Sequence, residues 1–526
     1  MKKKLDYFFS REGKWLRRVL LAAAVVRLIA AIFSEGYIMS DDHFLAVEPA
    51  SSWVHGENYH NWYPNAYNET PDAQPFSYAY YFLNFLILKI CAFFGIVHPF
   101  IQAFVLRWFH AALSLWGVYL FVKLAERLIT SVQWRMYAIW FWVFGGVVTV
   151  FSVHQLVETA CIPFVLLAYL YVLKYFQHER ISAVILAALA FSFSVGMRYQ
   201  LVFFPLTLGL YLLWKRKWSG ALLFGIAFTL GFALTQIDNL IFWHKPIYQH
   251  LLDYQSYNAT HFSDYPSNVF SYLALVTYYV FPVVTIVFLL SLRRRHSSAG
   301  HSSPTFVAPQ HSNTFPIFIG ITIFIVFHLV FPNRQERFLL PAVPFVLLLM
   351  MRAISKRYSC FAPSHEVPSS AGPSHAVHKA FRWSIYLSIV YTLAYSFYIP
   401  KKKYLEASKA LYEHSDFQNV VIDNWKGEEF IWLPMHYVGK FVHPFSMNEK
   451  KSVDQLKQQI THQPLYDSKR LPAPAPNYLI IWGREEAYPR ARAYEDAGFS
   501  IKRISVANSE KNSGFALYLI EKLEVN

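Results

Sequence analysis

Apolar runs long enough to cross a bilayer recur through the first 400 residues of this 526-residue chain. They lie near residues 15–33, 77–96, 102–123, 136–152, 158–175, 181–197, 199–214, 219–236, 269–292, 315–331, 336–352 and 382–399. A helix of about 17–25 apolar residues satisfies its backbone hydrogen bonds internally, as hydrocarbon demands of a spanning segment. Charged residues make up 15% of the chain, well under the roughly 25% of an average soluble domain. The pattern predicts an all-α polytopic membrane protein. The formal charge of +15 fits Lys- and Arg-rich loops on the cytoplasmic side, so no nucleic-acid partner is expected. Cys91, Cys161 and Cys360 fall in or beside apolar segments, which argues against a disulfide framework. No small-residue cleavage site follows Trp15–Phe33, which therefore reads as a retained first span.

The basic residues orient the chain. Lys2, Lys3, Lys4, Arg11, Lys14, Arg17 and Arg18 place the N-terminus in the cytoplasm. The connections at Lys123…Arg135, Trp214–Trp218, Arg293–Arg295 and Arg352…Lys379 also read as cytoplasmic. Residues 35–76, 237–268, the turn at 332–336 and everything after 400 then lie outside. An inside start and an outside end require an odd number of crossings, so the twelve runs imply eleven or thirteen spans. Residues 293–314 and 360–378 are rich in Ser, His, Pro and Ala. Their irregular histidine spacing points to flexible loops and not to metal.

Beyond residue 400 the pattern changes. Val420–Asn424, Asn477–Gly483, Phe499–Ser505 and Phe515–Ile520 read as strands, and Arg484–Ala497 as a helix stopped by Gly498. The expected organisation is a membrane domain over 1–400, with its outside loop at 35–76, and a small soluble α/β domain over 401–526.

Polar residues that are costly near hydrocarbon gather at the outside ends of the runs. Asp41 and Asp42 follow the first span, with Glu48-Pro49 soon after. Adjacent acids suit a general base or a ligand for a divalent cation; the alternative is a helix N-cap at Ser40-Asp41-Asp42. Arg198 ends one run, Asp238 ends another, and Tyr257-Asn258 lies in the loop beyond. Arg334, Glu336 and Arg337 crowd a hairpin between two apolar runs. Arginine offers a planar fork to phosphate oxygens, although a single interfacial Arg can simply snorkel. There is no metal-ligand set and no glycine-rich phosphate loop.

In this order the motifs resemble those of the dolichyl-phosphate-mannose-dependent mannosyltransferases of glycosyltransferase family 22, multispanning enzymes of the GT-C type. The resemblance covers roughly residues 15–400. Asp41-Asp42 with Glu48-Pro49 and the aromatic stretch His55–Tyr63 resemble the family's first outside loop. Asp238…Phe242-Trp243 and Tyr257-Asn258 resemble its later motifs. Asn333-Arg-Gln-Glu-Arg-Phe-Leu-Leu-Pro341 resembles its His-Lys-Glu-x-Arg-Phe-Leu-x-Pro hallmark, with Asn333 and Gln335 replacing His and Glu.

The resemblance implies inverting transfer of a hexose, mannose in the family, from a polyprenyl-phosphate donor to a glycolipid or glycan acceptor at the outer membrane face. Asp41, then Asp42, is the expected base. Arg337, Arg334 and Arg198 are the expected phosphate ligands, and Glu48, Asp238, Tyr257, Asn258 and Glu336 the expected substrate contacts. No cofactor is implied beyond a divalent cation on the Asp pair. The rivals are a flippase or transporter of a lipid-linked sugar, which needs a site near the bilayer midplane, and a glycolipid-binding pseudoenzyme. The altered hallmark favours a bacterial inner membrane with a periplasmic site. The triplets Asn68-Glu-Thr70 and Asn258-Ala-Thr260 keep an endoplasmic reticulum membrane with a lumenal site as the alternative.

Overall fold

The computed structural model describes residues 13–57, 77–241, 243–260, 282–293, 314–331, 335–359, 373–424, 433–448, 452–462, 474–483, 487–508 and 514–523. The chain forms two compact units. One comprises Met1–Ser34, Pro75–Tyr80 and Arg107–Tyr398; the other comprises Glu35–Gln74, Tyr81–Leu106 and Ile399–Asn526. The second unit thus draws in two segments that precede residue 107 as well as the C-terminal region.

The first unit is helical. Val157–His178, Trp218–Thr235 and Glu336–Tyr358 are long and apolar enough to cross a membrane, as is Pro99–Leu128, and Ile181–Met197, Tyr199–Trp214 and Phe315–Val330 are shorter apolar helices. Ile181–Met197 packs against both Val157–His178 and Trp218–Thr235. Small residues allow the second approach. A Cβ on Gly231 would lie 2.7 Å from Ser192 Oγ, and that hydroxyl donates to Phe228 O across the interface at 2.8 Å. The outer face of Trp218–Thr235 carries exposed Leu222, Ile226, Leu230 and Leu234.

The apolar run at 136–152 is not one helix. It divides into Val132–Val143 and Val147–Phe151. Gly146 adopts φ +56°, a left-handed conformation that costs glycine little. Its N–H donates to Thr392 Oγ1 at 3.0 Å, so the break is hydrogen-bonded. A helical run read from hydropathy alone misses such a break.

The C-terminal part of the second unit is a five-stranded mixed sheet of order β2-β1-β3-β5-β4, with β1 at Val420–Asn424, β2 at Phe445–Asn448, β3 at Tyr478–Trp482, β4 at Phe499–Asn508 and β5 at Gly514–Leu523. β1 runs parallel to β2 and β3, whereas β5 runs antiparallel to β3 and β4. The pairing of Val420 with Tyr478 and Ile422 with Ile480 puts these four side chains on one face, because side chains alternate along a strand. There they pack with Tyr404, Ala407 and Leu411 of helix Lys402–Tyr412 and with Met435 and Val438. Val421, Leu479 and Ile481 cover the other face with Val453, Leu456, Ala491 and Tyr494 from two further helices. Both faces of the central strands are therefore dry; β3 reads as an unbroken apolar run, and β1 as Val420–Ile422 followed by buried Asp423 and Asn424. The expected strands are all present. β2 was not expected, and the helix expected over Arg484–Ala497 is described as Ala487–Asp496.

Candidate active site

Three chain breaks in the first unit bring together one carboxylate and two guanidinium groups. Glu158 sits in the first turn of Val157–His178, where the helix dipole favours an anion. Arg198 follows the last turn of Ile181–Met197 in extended conformation, φ −141°. Arg337 lies in the 3-10 segment Glu336–Ala342, which contains Pro341 and packs against Val157–His178. Arg198 Nη2 is 3.1 Å from Glu158 Oε1, and Arg337 Nε is 3.7 Å from the same oxygen. Phe338 supports both cations, 4.5 Å beneath Arg198 and 5.6 Å from Arg337. Glu158 is buried, as is Arg337. Two arginines thus share one carboxylate, and a guanidinium fork of this kind also suits phosphate oxygens. Tyr254, on helix Gln249–Thr260, lies within electrostatic reach of all three.

Sequence reading anticipated both arginines but not Glu158. Its signal was a lone acid at the head of an apolar run, which by default marks function in a membrane segment. Arg334 lies outside the described residues, as does Phe242. Glu336 is exposed at the start of its segment. Asp238 approaches His250 Nδ1 at 3.2 Å. The buried His250 ring stacks on Tyr78 at 4.9 Å and meets Trp243 edge-on at 5.9 Å. Asn258 donates to Tyr254 O at 2.7 Å within its own helix, and Tyr257 is half-buried beside it.

In the second unit the Asp pair occupies a single helical turn, Ser40–Asp42. The N-cap position is Met39 and no side chain caps the turn, so the pair is not the N-cap that its sequence also allowed. Asp41 is exposed and Asp42 half-buried. A π-helical stretch, His43–Val47, follows, then helix Glu48–Val54. Such wide turns are frequent at functional sites.

Glu48 is fully buried and does not face solvent. Its Oε1 lies 2.8 Å from His43 Nε2. It also accepts the His436 backbone N–H, at 2.9 Å to Oε1 and 3.1 Å to Oε2. Ser51 Oγ completes the network at 2.9 Å from His436 Nδ1. Burial pushes the Glu48 carboxyl well above the usual range, against a smaller downward pull from the His436 N–H. Burial also pushes His43 down to about 3, and His436 down to about 3 with help from His43 and His55. The close His43–Glu48 contact is thus a hydrogen bond between neutral groups. Tyr37 and Tyr437 stack on the His43 ring at 4.4 and 5.5 Å. The network clamps the segment that carries Asp41 and Asp42.

Among the described residues no three His, Cys, Asp or Glu side chains converge to hold a metal ion.

The sequence model of the Alg9-like mannosyltransferase family matches residues 18–421. No curated protein matches the chain in sequence. Among solved structures, ArnT from Cupriavidus metallidurans bound to undecaprenyl phosphate aligns with TM-score 0.55 and 12% identity, over 97% of this chain and 98% of that one. The apo state of the same protein gives TM-score 0.56 and 11% identity, with the same coverage. The Archaeoglobus fulgidus oligosaccharyltransferase in complex with Zn and sulfate gives 0.52 and 13%, over 95% of this chain and 73% of that one. At these identities the likeness is one of fold.

Proposed function

Because the chain belongs to the Alg9-like mannosyltransferase family and is a glycosyltransferase, we propose that it moves mannose from a polyprenyl-phosphate donor to a hydroxyl of a glycolipid or glycan acceptor. The protein is read as polytopic, with about 11–13 spans, and works at the outer face of its membrane. The cluster of Glu158, Arg198 and Arg337 is the observation that carries this reading. The solved relative bound to undecaprenyl phosphate supports the choice of a polyprenyl-linked donor.

Transfer is a single in-line displacement with inversion. The acceptor oxygen forms a bond to the anomeric carbon, the bond from that carbon to the phosphate oxygen breaks, and the lipid phosphate departs with the electron pair. Asp41 takes the hydroxyl proton, with Asp42 as its neighbour in the same turn. Arg198 and Arg337 bind the donor phosphate and stabilise the charge that grows on it. Arg334 is assigned to the same phosphate. Glu158 pairs with both arginines.

The test is purified full-length protein with synthetic polyprenyl-phosphate mannose and a glycolipid acceptor. A mannosylated product of inverted anomeric configuration is expected. Movement of the intact donor across a vesicle bilayer, without any sugar transfer, would establish the transporter instead.

A further inference from the structure

A second cluster of cations has no part in this chemistry. A cavity of about 280 Å³ is lined by Arg127, Tyr171, Lys174, His178, Arg180 and Leu186, among others. Every ionisable group among the lining residues is basic or phenolic. Glu126 lies within electrostatic reach of Arg127, but the two nearest glutamates in sequence each pair with a lysine outside the lining. Glu126 pairs with Lys123 at 2.9 Å. Glu179, in left-handed conformation at φ 50°, pairs with Lys217. Gln177 holds Arg127 Nη1 at 3.4 Å, and Lys174 Nζ sits 4.5 Å over the Tyr171 ring.

The cavity lies where Val157–His178 ends and Ile181–Met197 begins. Leu186 forms part of its wall, and Ile181 and Leu189 on the same helix are likewise exposed. A pocket for a drug-sized ligand usually holds about 300–1,000 Å³, so this one is small. It joins a compact cationic recess to exposed apolar residues of one helix, and that combination matches one class of molecule. We propose that the cavity binds the phosphate of an anionic phospholipid headgroup, with the acyl chains lying along Ile181, Leu186 and Leu189. The residues flanking Arg127 belong to a stretch whose charge reads as cytoplasmic, where anionic lipids attract basic clusters. The inference rests on the reading of the chain as membrane-spanning, and is independent of the reaction.

The test uses the full chain in detergent with dioleoylphosphatidylglycerol, dioleoylphosphatidylcholine or soluble glycerol phosphate. Retained lipid is read by native mass spectrometry and stabilisation by the shift in Tm. Phosphatidylglycerol should be retained in preference to phosphatidylcholine. The Arg127→Gln/Arg180→Gln variant should bind it about tenfold more weakly or worse, as expected on losing charge-assisted contacts. Should that variant not fold, Lys174→Gln should give a partial loss and Arg127→Lys/Arg180→Lys should retain binding. Equal retention of both lipids, or unchanged binding by the Gln variants, overturns the proposal. Stabilisation by glycerol phosphate equal to that by the lipid would make the ligand a soluble anion and overturn the lipid assignment.

Discussion

Glu158 in the first unit and Glu48 in the second are both carboxylates sealed from solvent, yet their neighbours give them opposite chemistry. Glu158 faces Arg198 and Arg337, and guanidinium does not surrender its proton. That cluster sets two guanidinium groups against one carboxylate. Glu48 faces the His43 ring and the His436 backbone N–H. Imidazole can shed its proton, so burial makes this pair neutral. Guanidinium groups gathered at one carboxylate can turn to an incoming anion, whereas a neutral hydrogen-bonded cluster is suited to fixing a backbone. In this chain the neutral one fixes the segment that bears the Asp pair.

The largest effect should come from the residue that the neutral cluster positions. If Asp41 is the proton acceptor, Asp41→Asn should lower the transfer rate by about 10²–10⁴. Donor binding and Tm should stay near wild type, because Asn is nearly isosteric and Asp41 is exposed. Near-normal turnover would move the role to Asp42. Near-normal turnover by the double variant would remove the carboxylate base from the scheme.

On the ionic side, Arg337→Ala should cost about 2–4 kcal/mol of transition-state stabilisation, roughly a hundredfold in rate. The loss should appear with every acceptor tried, since the phosphate belongs to the donor. Arg337→Lys should recover only part of the rate, because a point charge cannot replace the fork. Full recovery would reduce Arg337 to a point charge.

Glu158→Gln tests the carboxylate that the two arginines share. Removing one partner of a buried ion pair costs about 3–5 kcal/mol, so Tm should fall. Added polyprenyl phosphate should restore Tm more in the variant than in wild type, since an anion then replaces the missing carboxylate. The product, a phosphate monoester with charge of about −1.5 to −2, should inhibit the variant roughly tenfold more strongly than wild type. A purely packing role for Glu158 predicts lost Tm with no rescue and no change in inhibition.

Much of the architecture was legible in the sequence because its periodicities are local. Val420–Ile422 of β1 and the whole of β3 are bounded apolar runs, and the outward Leu222–Leu234 stripe lies on a helix that hydropathy finds. β2 was not legible. Phe445-Ser-Met-Asn448 is short, and only its parallel pairing with β1 makes it a strand. The arginines were legible because charges at the ends of apolar runs are conspicuous. Their partner was not, since Glu158 stands 40 residues before Arg198 and 179 before Arg337. Glu48 was read as a substrate contact from its place beside the Asp pair. Its actual neighbour, His436, is 388 residues away in sequence, and no local pattern announces such a contact.

The smallest effect, and the one that bears most directly on the contrast, is expected at Glu48. A buried, neutral Glu48 gives no reason for turnover to change beyond about threefold in Glu48→Gln, because Gln keeps an acceptor for the His436 N–H. Stability should respond differently. The folded-state pKa of Glu48 is raised, so its contribution is complete below the ordinary carboxyl range and is lost as pH rises through the folded value. The imidazoles act in the opposite sense. His43 and His436 are depressed to about 3, so their contribution is present above their ordinary pKa of 6.5 and is lost as pH falls toward 3. Wild type should therefore lose Tm relative to Glu48→Gln as the medium is taken from pH 5 upward, with the two most alike at the acid end. Both proteins should lose Tm together on acidification below the ordinary histidine range, because both retain the imidazoles. Thermal melts across that range read the difference directly. A Tm gap between variant and wild type that stays constant with pH would mean that Glu48 is ionised in the fold and that the two clusters are alike. A large rise in KM for the variant would return Glu48 to the substrate.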